Sequence, residues 1–456
     1  PWAPAAPGDR VSRGDWWDAA HDAELSRLEQ QIDTANPDLA AAVARDDEAN
    51  AFLAQTRSNL YPSVEAGAMV SSNRQSNNRP LRGSGQPNEY GADTIGIELD
   101  YDFDLWGKVR NEVAASRDLA QATMDDMESV RLSLHAKLAD TYFALRGDDA
   151  QLRLLRDSEA AYAHALAIAT NRYKGGIAPA EDMTRAGTSL YTVRAQISDV
   201  EGQRALTEHA IASLISVPAS NFSIAADPAP LNFDAVPVDV PSTLLERRPD
   251  IAAAERRVAA SNASIGIARA AFFPDLTLSP IIGYQSTQTA NWLSAPNLFW
   301  AIGPSLTATL FDAGRHEAQL DAARAKLNES ASQYKSAVLH AFQQVEDNLA
   351  LLGKLRDEAR SQDLAVQNAR RTLELALDQY QAGAVSYLDV FDAQTAALDA
   401  ARAAIDLRTR YLHASVGLVR ALGGGWSEAS ADAVPREQPA HEADHAVLAT
   451  AMNDGG

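Results

Sequence analysis

The chain has 456 residues, 46% of them apolar, with only 25 Gly and 20 Pro, a bias toward long uninterrupted helices. The absence of Cys excludes disulfide scaffolds, thiolate nucleophiles and Cys-ligated zinc, and a formal charge of −21 argues against electrostatic binding of nucleic acid. No run of 18 or more apolar residues is present, so no transmembrane helix is expected and membrane insertion requires a β-barrel.

The chain opens with neither Met nor a basic, apolar leader, so any secretory signal is expected to be already removed. The first periodic helix starts at Asn36-Pro37-Asp38-Leu39 and runs to about Ser58, with Pro37 at the first helical position, where no N–H is needed. The same signal returns 212 residues later as Arg248-Pro249-Asp250-Ile251, opening a helix to about Ala271. Tyr61-Pro62-Ser63 aligns with Phe273-Pro274-Asp275 at the same offset, and Trp106-Gly107-Lys108 with Ala313-Gly314-Arg315 at an offset of 207. Tyr173 to Ile177 and Tyr380 to Ala384 keep that second offset, and Asp182 falls on Asp389. Two constant offsets imply a tandem duplication with one length change. Residues 1–217 form the first repeat, with a β-hairpin at about 62–105 and a long helical hairpin at about 107–217. A linker follows at 218–246. The second repeat, 247–426, holds a hairpin at about 274–311 and a helical hairpin at about 313–422. Residues 427–456 carry six acids against Arg436 and read as a disordered acidic tail.

Each long helix is expected to cover about 67 residues, roughly 100 Å. In the second copy the apolar residues step by three and four from Leu320 through Leu327, Tyr334, Val338 and Val345 to Leu352, a coiled-coil seam. Gly175-Gly176 and Ala382-Gly383 reverse the chain at the far end of each hairpin.

Four segments alternate with period two. At 94–105, Ile95, Ile97, Leu99, Tyr101, Phe103 and Leu105 alternate with Thr94, Gly96, Glu98, Asp100, Asp102 and Asp104. The others lie at about 63–72, 275–285 and 300–310. Their length of about ten residues matches a bilayer-spanning strand. Aromatic residues cluster at both strand ends, Trp106 and Phe272-Phe273 toward the helices and Trp292 and Trp300 toward the far loop, as in interfacial girdles. If the apolar row faces lipid, Glu98, Asp100 and Asp102 face a water-filled lumen and favour cations. The competing reading is a pair of soluble amphipathic hairpins lying on the helices. Four strands cannot close a barrel, and an open channel needs three or more chains, so a homotrimer with 12 strands is expected.

Several separated motifs in order resemble one family. They are Trp16-Trp17 with Leu25, Asn36-Pro37-Asp38, Leu245 to Asp250, Ile267 to Pro274, Tyr380-Gln381-Ala382-Gly383 and Tyr387 to Gln394. The sequence is similar over about residues 15 to 426 to the outer-membrane factors, the TolC/OprM-like channels, and most to the efflux branch. The resemblance implies an α+β membrane protein: a trimeric 12-strand transmembrane β-barrel continuous with a 12-helix periplasmic coiled-coil tunnel. It implies a passive exit duct for drugs or other toxic compounds, located in the outer membrane and reaching into the periplasm. Its partners would be a periplasmic adaptor and an inner-membrane pump driven by protons, with outer-membrane lipid around the barrel. Relatives in this branch are usually acylated on an N-terminal Cys ahead of a Pro-containing strap; the strap here starts at Pro1, so an anchor is implied without its residue being present.

No enzyme is expected. The nine His include no metal-ligand pair, Gly423-Gly424-Gly425 follows a helix instead of a strand, and no cofactor site is read. The alternatives of other kinds are a type I secretion exit channel, a structural coiled coil and a periplasmic adaptor. An adaptor would carry one helical hairpin between β-rich flanks, and this chain has two hairpins and no such flank.

Two sites are expected on the helical hairpins. The tips, Gly175, Gly176 and Ile177 with Gly383, Ala384 and Val385, should dock the adaptor. A gate should form around Asp389 and Asp392, one turn apart at the start of the second return helix. In the resemblance these positions form stacked acid rings at the tunnel entrance, a candidate site for a cation plug. Tyr380 is positioned to hydrogen-bond Asp182 across the coiled coil, and Leu388 and Phe391 to add packing. Arg185 stands where a second acid would be in the first copy, which makes that copy the outer hairpin. The basic residue that strengthens this lock in TolC-like members, soon after the tip glycine, is absent after Gly383. The competing reading makes Asp389 and Asp392 ordinary helix-start acids, stabilised by about 0.3–1 kcal/mol each.

Overall fold

Where the sequence runs longest without Pro, the chain forms two unbroken helices of 67 residues each, about 100 Å long. The computed structural model describes residues 14–424 apart from 77, 79–84, 86, 228, 230–232, 234–246 and 288–290. The strap ahead of Trp16, most of the linker expected at 218–246 and the tail at 427–456 lie outside the described residues. In chain order, α1 (Ala23–Ala35) and α2 (Pro37–Ser58) precede β1 (Ser63–Arg74) and β2 (Glu89–Phe103). The first long helix α3 (Lys108–Lys174) and its return helix α4 (Ala180–Leu214) follow. Then come α5 (Pro249–Ala270), β3 (Asp275–Leu278), β4 (Ile281–Ser286), β5 (Leu298–Ala301), β6 (Pro304–Thr307), the second long helix α6 (Arg315–Gln381) and α7 (Tyr387–Ala421). Among the described residues no helix is long and apolar enough to cross a membrane.

In both repeats the residue before the short helix donates to a carbonyl at the end of the return helix. Asn36 accepts from the N–H groups of Asp38 and Leu39 at the start of α2, while its Nδ2 donates to the Leu214 carbonyl at the end of α4 (2.7 Å). Arg248 takes the equivalent place before α5 and donates to the Ala421 carbonyl at the end of α7 (2.9 Å). The last carbonyls of both return helices, which lack intrahelical partners, are satisfied this way.

Two of the four expected strands differ from expectation. The segment at 275–285 is split into β3 and β4, and the one at 300–310 into β5 and β6, with Leu310 outside any strand. Pro280 and Pro304 sit at the breaks, and a residue without an N–H cannot complete a ladder. The sheet keeps four passes across it: β1 pairs with β2, β2 with β3 and β4 in succession, and these with β6 and β5.

The main core lies midway along the molecule. There Trp16, Trp17, Leu25, Leu28 and Ile32 pack on Leu138, Tyr142 and Phe143 of α3, Ile211 of α4 and Val416 of α7. Charged groups are buried within it. Glu29 of α1 is fully buried and lies 2.7 Å from His135 Nδ1, with Asp33 at 3.4 Å from Nε2 and Trp17 stacked on the imidazole at 4.7 Å. Burial pushes the Glu29 carboxyl up to about 7, against the pull of His135. Burial alone would lower the His135 imidazole, but its hydrogen bond to Glu29 and the charges of Glu29 and Asp33 outweigh that and raise it. A second network runs from Asp22 through Tyr142 and Arg146 to Asp149 and Arg204, fixing α1, α3 and α4 together.

Candidate functional site

The sheet has one apolar and one polar face, and the register shows which residues share each. Ile97 lies opposite Ala66 and Ile282, Ile95 opposite Ala68 and Tyr284, and Trp300 opposite Ile282. Further along, Phe103 faces Leu276 and Leu276 faces Leu306. Directly paired residues point the same way, so these side chains form one continuous apolar surface. Much of it is exposed: Trp300 is 68% and Ile282 53% accessible. The other face carries Glu98 opposite Glu65, Asp100 opposite Ser63, and Asp102 opposite Thr277. Glu98, Asp100 and Asp102 thus share a face, and the structure adds Glu65, which alternation in the ragged 63–72 segment did not single out. Directly opposed carboxylates are destabilising in a sheet unless water or cations screen them.

At the helix end of the sheet Trp106 stacks on Phe273 (4.6 Å) and donates its indole N–H to the Pro274 carbonyl (2.8 Å). At the far end Trp292 donates to the Tyr284 carbonyl (3.3 Å).

Both hairpin tips end in the same capping geometry. Gly176 and Gly383 take positive φ values of 68° and 78°. The Ile177 and Ala384 N–H groups reach back to the Arg172 and Gln379 carbonyls (2.9 and 2.8 Å), a closure that places Gly in the left-handed position. Gly175 itself is right-handed, so Gly176 is the residue the turn requires. Ile177 projects into solvent with 72% of its surface accessible.

Above the tips, α3 and α4 meet α6 and α7 through Ala165, Ala169, Ala186, Ala376, Tyr380, Tyr387 and Val390, with Val385 and Phe391 partly buried against them. Tyr380 is buried, and its hydroxyl lies 3.4 Å from Asp182 Oδ2, as the sequence anticipated. That distance is long for a hydroxyl donor. Burial, then the Asp182 charge, raises the Tyr380 pKa, so the hydroxyl keeps its proton. The tighter contact was not foreseen. Arg172 of α3 donates to the Tyr380 carbonyl at 2.6 Å and lies 4.6 Å over the Tyr380 ring. A basic group of the other hairpin thus contacts Tyr380 on both its carbonyl and its ring. Its signal was a mismatch between the repeats, since Arg172 aligns with Gln379 at the offset of 207. Tyr387 stacks edge-on against Tyr380 (5.4 Å) and contacts Gln394 Oε1 (3.3 Å), its hydroxyl pushed up to about 12 by burial.

Asp182 and Asp389 occupy the same third position of α4 and α7 but point to different partners. Asp389 turns back to Ser386, accepting from its N–H (3.0 Å) and hydroxyl (2.9 Å) in a capping box. The matching residue before α4 is Pro179, which has neither hydroxyl nor N–H, so Asp182 is released to face Tyr380. Asp392 and Leu388 are exposed, and Arg185 pairs with Glu181 at 2.6 Å. Among the described residues no group of three or more His, Cys, Asp or Glu is placed to hold a metal ion within one chain.

The comparisons agree with this architecture. The family model described as outer membrane efflux protein matches residues 28–216 and 240–424. The pyoverdine export outer membrane protein OpmQ of Pseudomonas aeruginosa is 32% identical over 417 residues, 90% of this chain and 87% of that protein. The probable efflux pump outer membrane protein TtgC of Pseudomonas putida is 31% identical over 425 residues, 92% of this chain and 86% of that protein. Among solved structures, the outer membrane protein VceC of Vibrio cholerae superposes with a TM-score of 0.85 at 27% identity, covering 91% of this chain and all of that one.

Proposed function

The chain belongs to the outer membrane efflux protein family, and on that footing we propose how three copies of it would build and gate an export channel. It is an outer-membrane efflux channel that reaches into the periplasm, and it is not an enzyme. The observation that carries the assembly is the two-faced sheet. Among the described residues, four passes leave two open edges, β1 on one side and β5 with β6 on the other, and an apolar face that is largely exposed. Joining β1 of one copy to the β5–β6 edge of the next satisfies both edges and closes a 12-pass barrel with lipid outside and Glu65, Glu98, Asp100 and Asp102 inside. The four helices of the two hairpins, repeated three times, continue it as a tunnel.

The tandem division at 1–217 and 247–426, joined by 218–246 and followed by 427–456, makes the ring nearly sixfold. The tips at Gly175–Ile177 and Gly383–Val385 dock a periplasmic adaptor, which links the duct to a proton-driven inner-membrane pump. The gate lies where Arg172 and Asp182 of one hairpin hold Tyr380 of the other. Asp389 and Asp392 from three copies gather at the entrance as a cation plug, backed by Leu388 and Phe391. Mass measurement in detergent tests the assembly: a species of three times 48.9 kDa is expected, with conductance in planar bilayers. A stable, non-conducting monomer would sink it.

A further inference from the structure

An arginine-lined cleft opens below the main core, between α3 and α6 with α7 as its floor, enclosing about 940 Å³. Arg146, Arg153, Arg356, Arg360, Arg370 and Arg408 line it, against Asp157 and Asp363, on a chain whose formal charge is −21. Phe143, Leu355 and Leu407 give it an apolar base. The ion pairs already made there, Arg153 with Asp157 (3.2 Å) and the flanking Arg360 with Asp357 (3.6 Å), are solvent-exposed and so hold each other by about 1 kcal/mol or less. They exchange easily for another acid.

We propose that this cleft is the docking groove for the acidic C-terminal segment of the same chain, centred on residues 437–444. The reach fits. The floor helix α7 leaves the cleft at Leu412 and ends at Ala421, about 14 Å further on at 1.5 Å per residue. From Gly424, the 13 residues to Glu437 can extend about 40 Å, more than enough to turn back. The length fits too. The lining spans residues 143–157 of α3 and 355–370 of α6, about 21–22 Å of helix. Eight extended residues cover about 23 Å. Pro435 and Pro439 favour an extended backbone across the entry, and Glu437, Glu442 and Asp444 bring negative charge to a lining in which arginines outnumber acids. Tethering raises the local concentration of the segment to about millimolar, so individually weak pairs suffice.

The chain has no Cys, so introduced pairs report proximity cleanly. Full-length Arg360→Cys/Glu442→Cys, mildly oxidised in detergent at low salt, should form an intrachain disulfide at least tenfold faster than Glu48→Cys/Glu442→Cys, whose first site is on α2. Adding Arg356→Glu with Arg370→Glu, or raising salt to 1 M where screening shortens to about 3 Å, should remove the advantage. In a second measurement, the Cys of Arg360→Cys should react with a maleimide several-fold faster when residues 427–456 are deleted. Equal rates in both measurements would overturn the proposal. Disulfide-linked dimers would overturn the assignment to the same chain, placing the segment on a neighbouring copy. Protection from maleimide that survives the deletion would mean another occupant, such as a small anion or an acidic partner protein.

Discussion

Replacing Arg172 by Met keeps most of the side-chain stem and removes the charge that ties one hairpin to the other. Two contacts are lost per copy. The first is the charge-assisted hydrogen bond to the Tyr380 carbonyl at 2.6 Å, a class of bond with a net contribution of about 1.5–3 kcal/mol. The second is the cation–π contact at 4.6 Å, about 0.5–1 kcal/mol at a site open to water. Arg172 is half-buried, so the lower ends apply and the sum is about 2 kcal/mol. That favours separation of the hairpins roughly 30-fold in each copy, at 1.4 kcal/mol per factor of ten. The contact between the Tyr380 hydroxyl and Asp182, at 3.4 Å, is worth less. In planar bilayers Arg172→Met should raise the open probability about an order of magnitude or more, and Tyr380→Phe only a few-fold. An unchanged open probability in Arg172→Met, or a larger effect from Tyr380→Phe, refutes the assignment of the lock to Arg172.

Three other outcomes are expected. The Glu29–His135 pair should make the main core less stable as pH rises. Both groups hold their protons more tightly when folded, so their contribution is full below the unfolded Glu value of 4.5 and falls as pH passes about 7. Raising a carboxyl from 4.5 to about 7 corresponds to about 3 kcal/mol. The difference in Tm between pH 5 and pH 8 should shrink in Glu29→Gln, and the pair is not responsible if that difference is unaltered. Glu98→Gln with Asp102→Asn should reduce cation selectivity of single channels, since both share the polar face; selectivity that stays constant or inverts in the parent would reverse the face assignment. Ile177→Asp changes an exposed tip residue at negligible cost to the fold, so export in cells should drop while the trimer persists. Full export activity would remove that tip from the adaptor interface.

The sequence by itself determined the elements. Period-3.5 seams, Pro at the first helical turn and Gly past the last one are local signals, and both long helices fall at 108–174 and 315–381 as read. Alternation placed Glu98, Asp100 and Asp102 on one face because period two is a property of the strand alone. It did not foresee the breaks at Pro280 and Pro304, because apolar periodicity reports which face a side chain takes and not whether its N–H can complete the ladder. Tertiary structure decided the partners. Asp182 and Asp389 are the same residue at the same helical position, and only the choice of Pro179 or Ser386 beside them, read in three dimensions, sends one to Tyr380 and the other to its own helix start. Arg172 reaches the Tyr380 carbonyl across 208 positions of sequence, and Glu29 reaches His135 across 106. Glu29 did leave a trace, a charge set in the apolar stripe of Leu25, Leu28 and Ile32. Such pairs are invisible to local pattern because their energy comes from desolvation and close approach, and both exist only once the hairpins have packed.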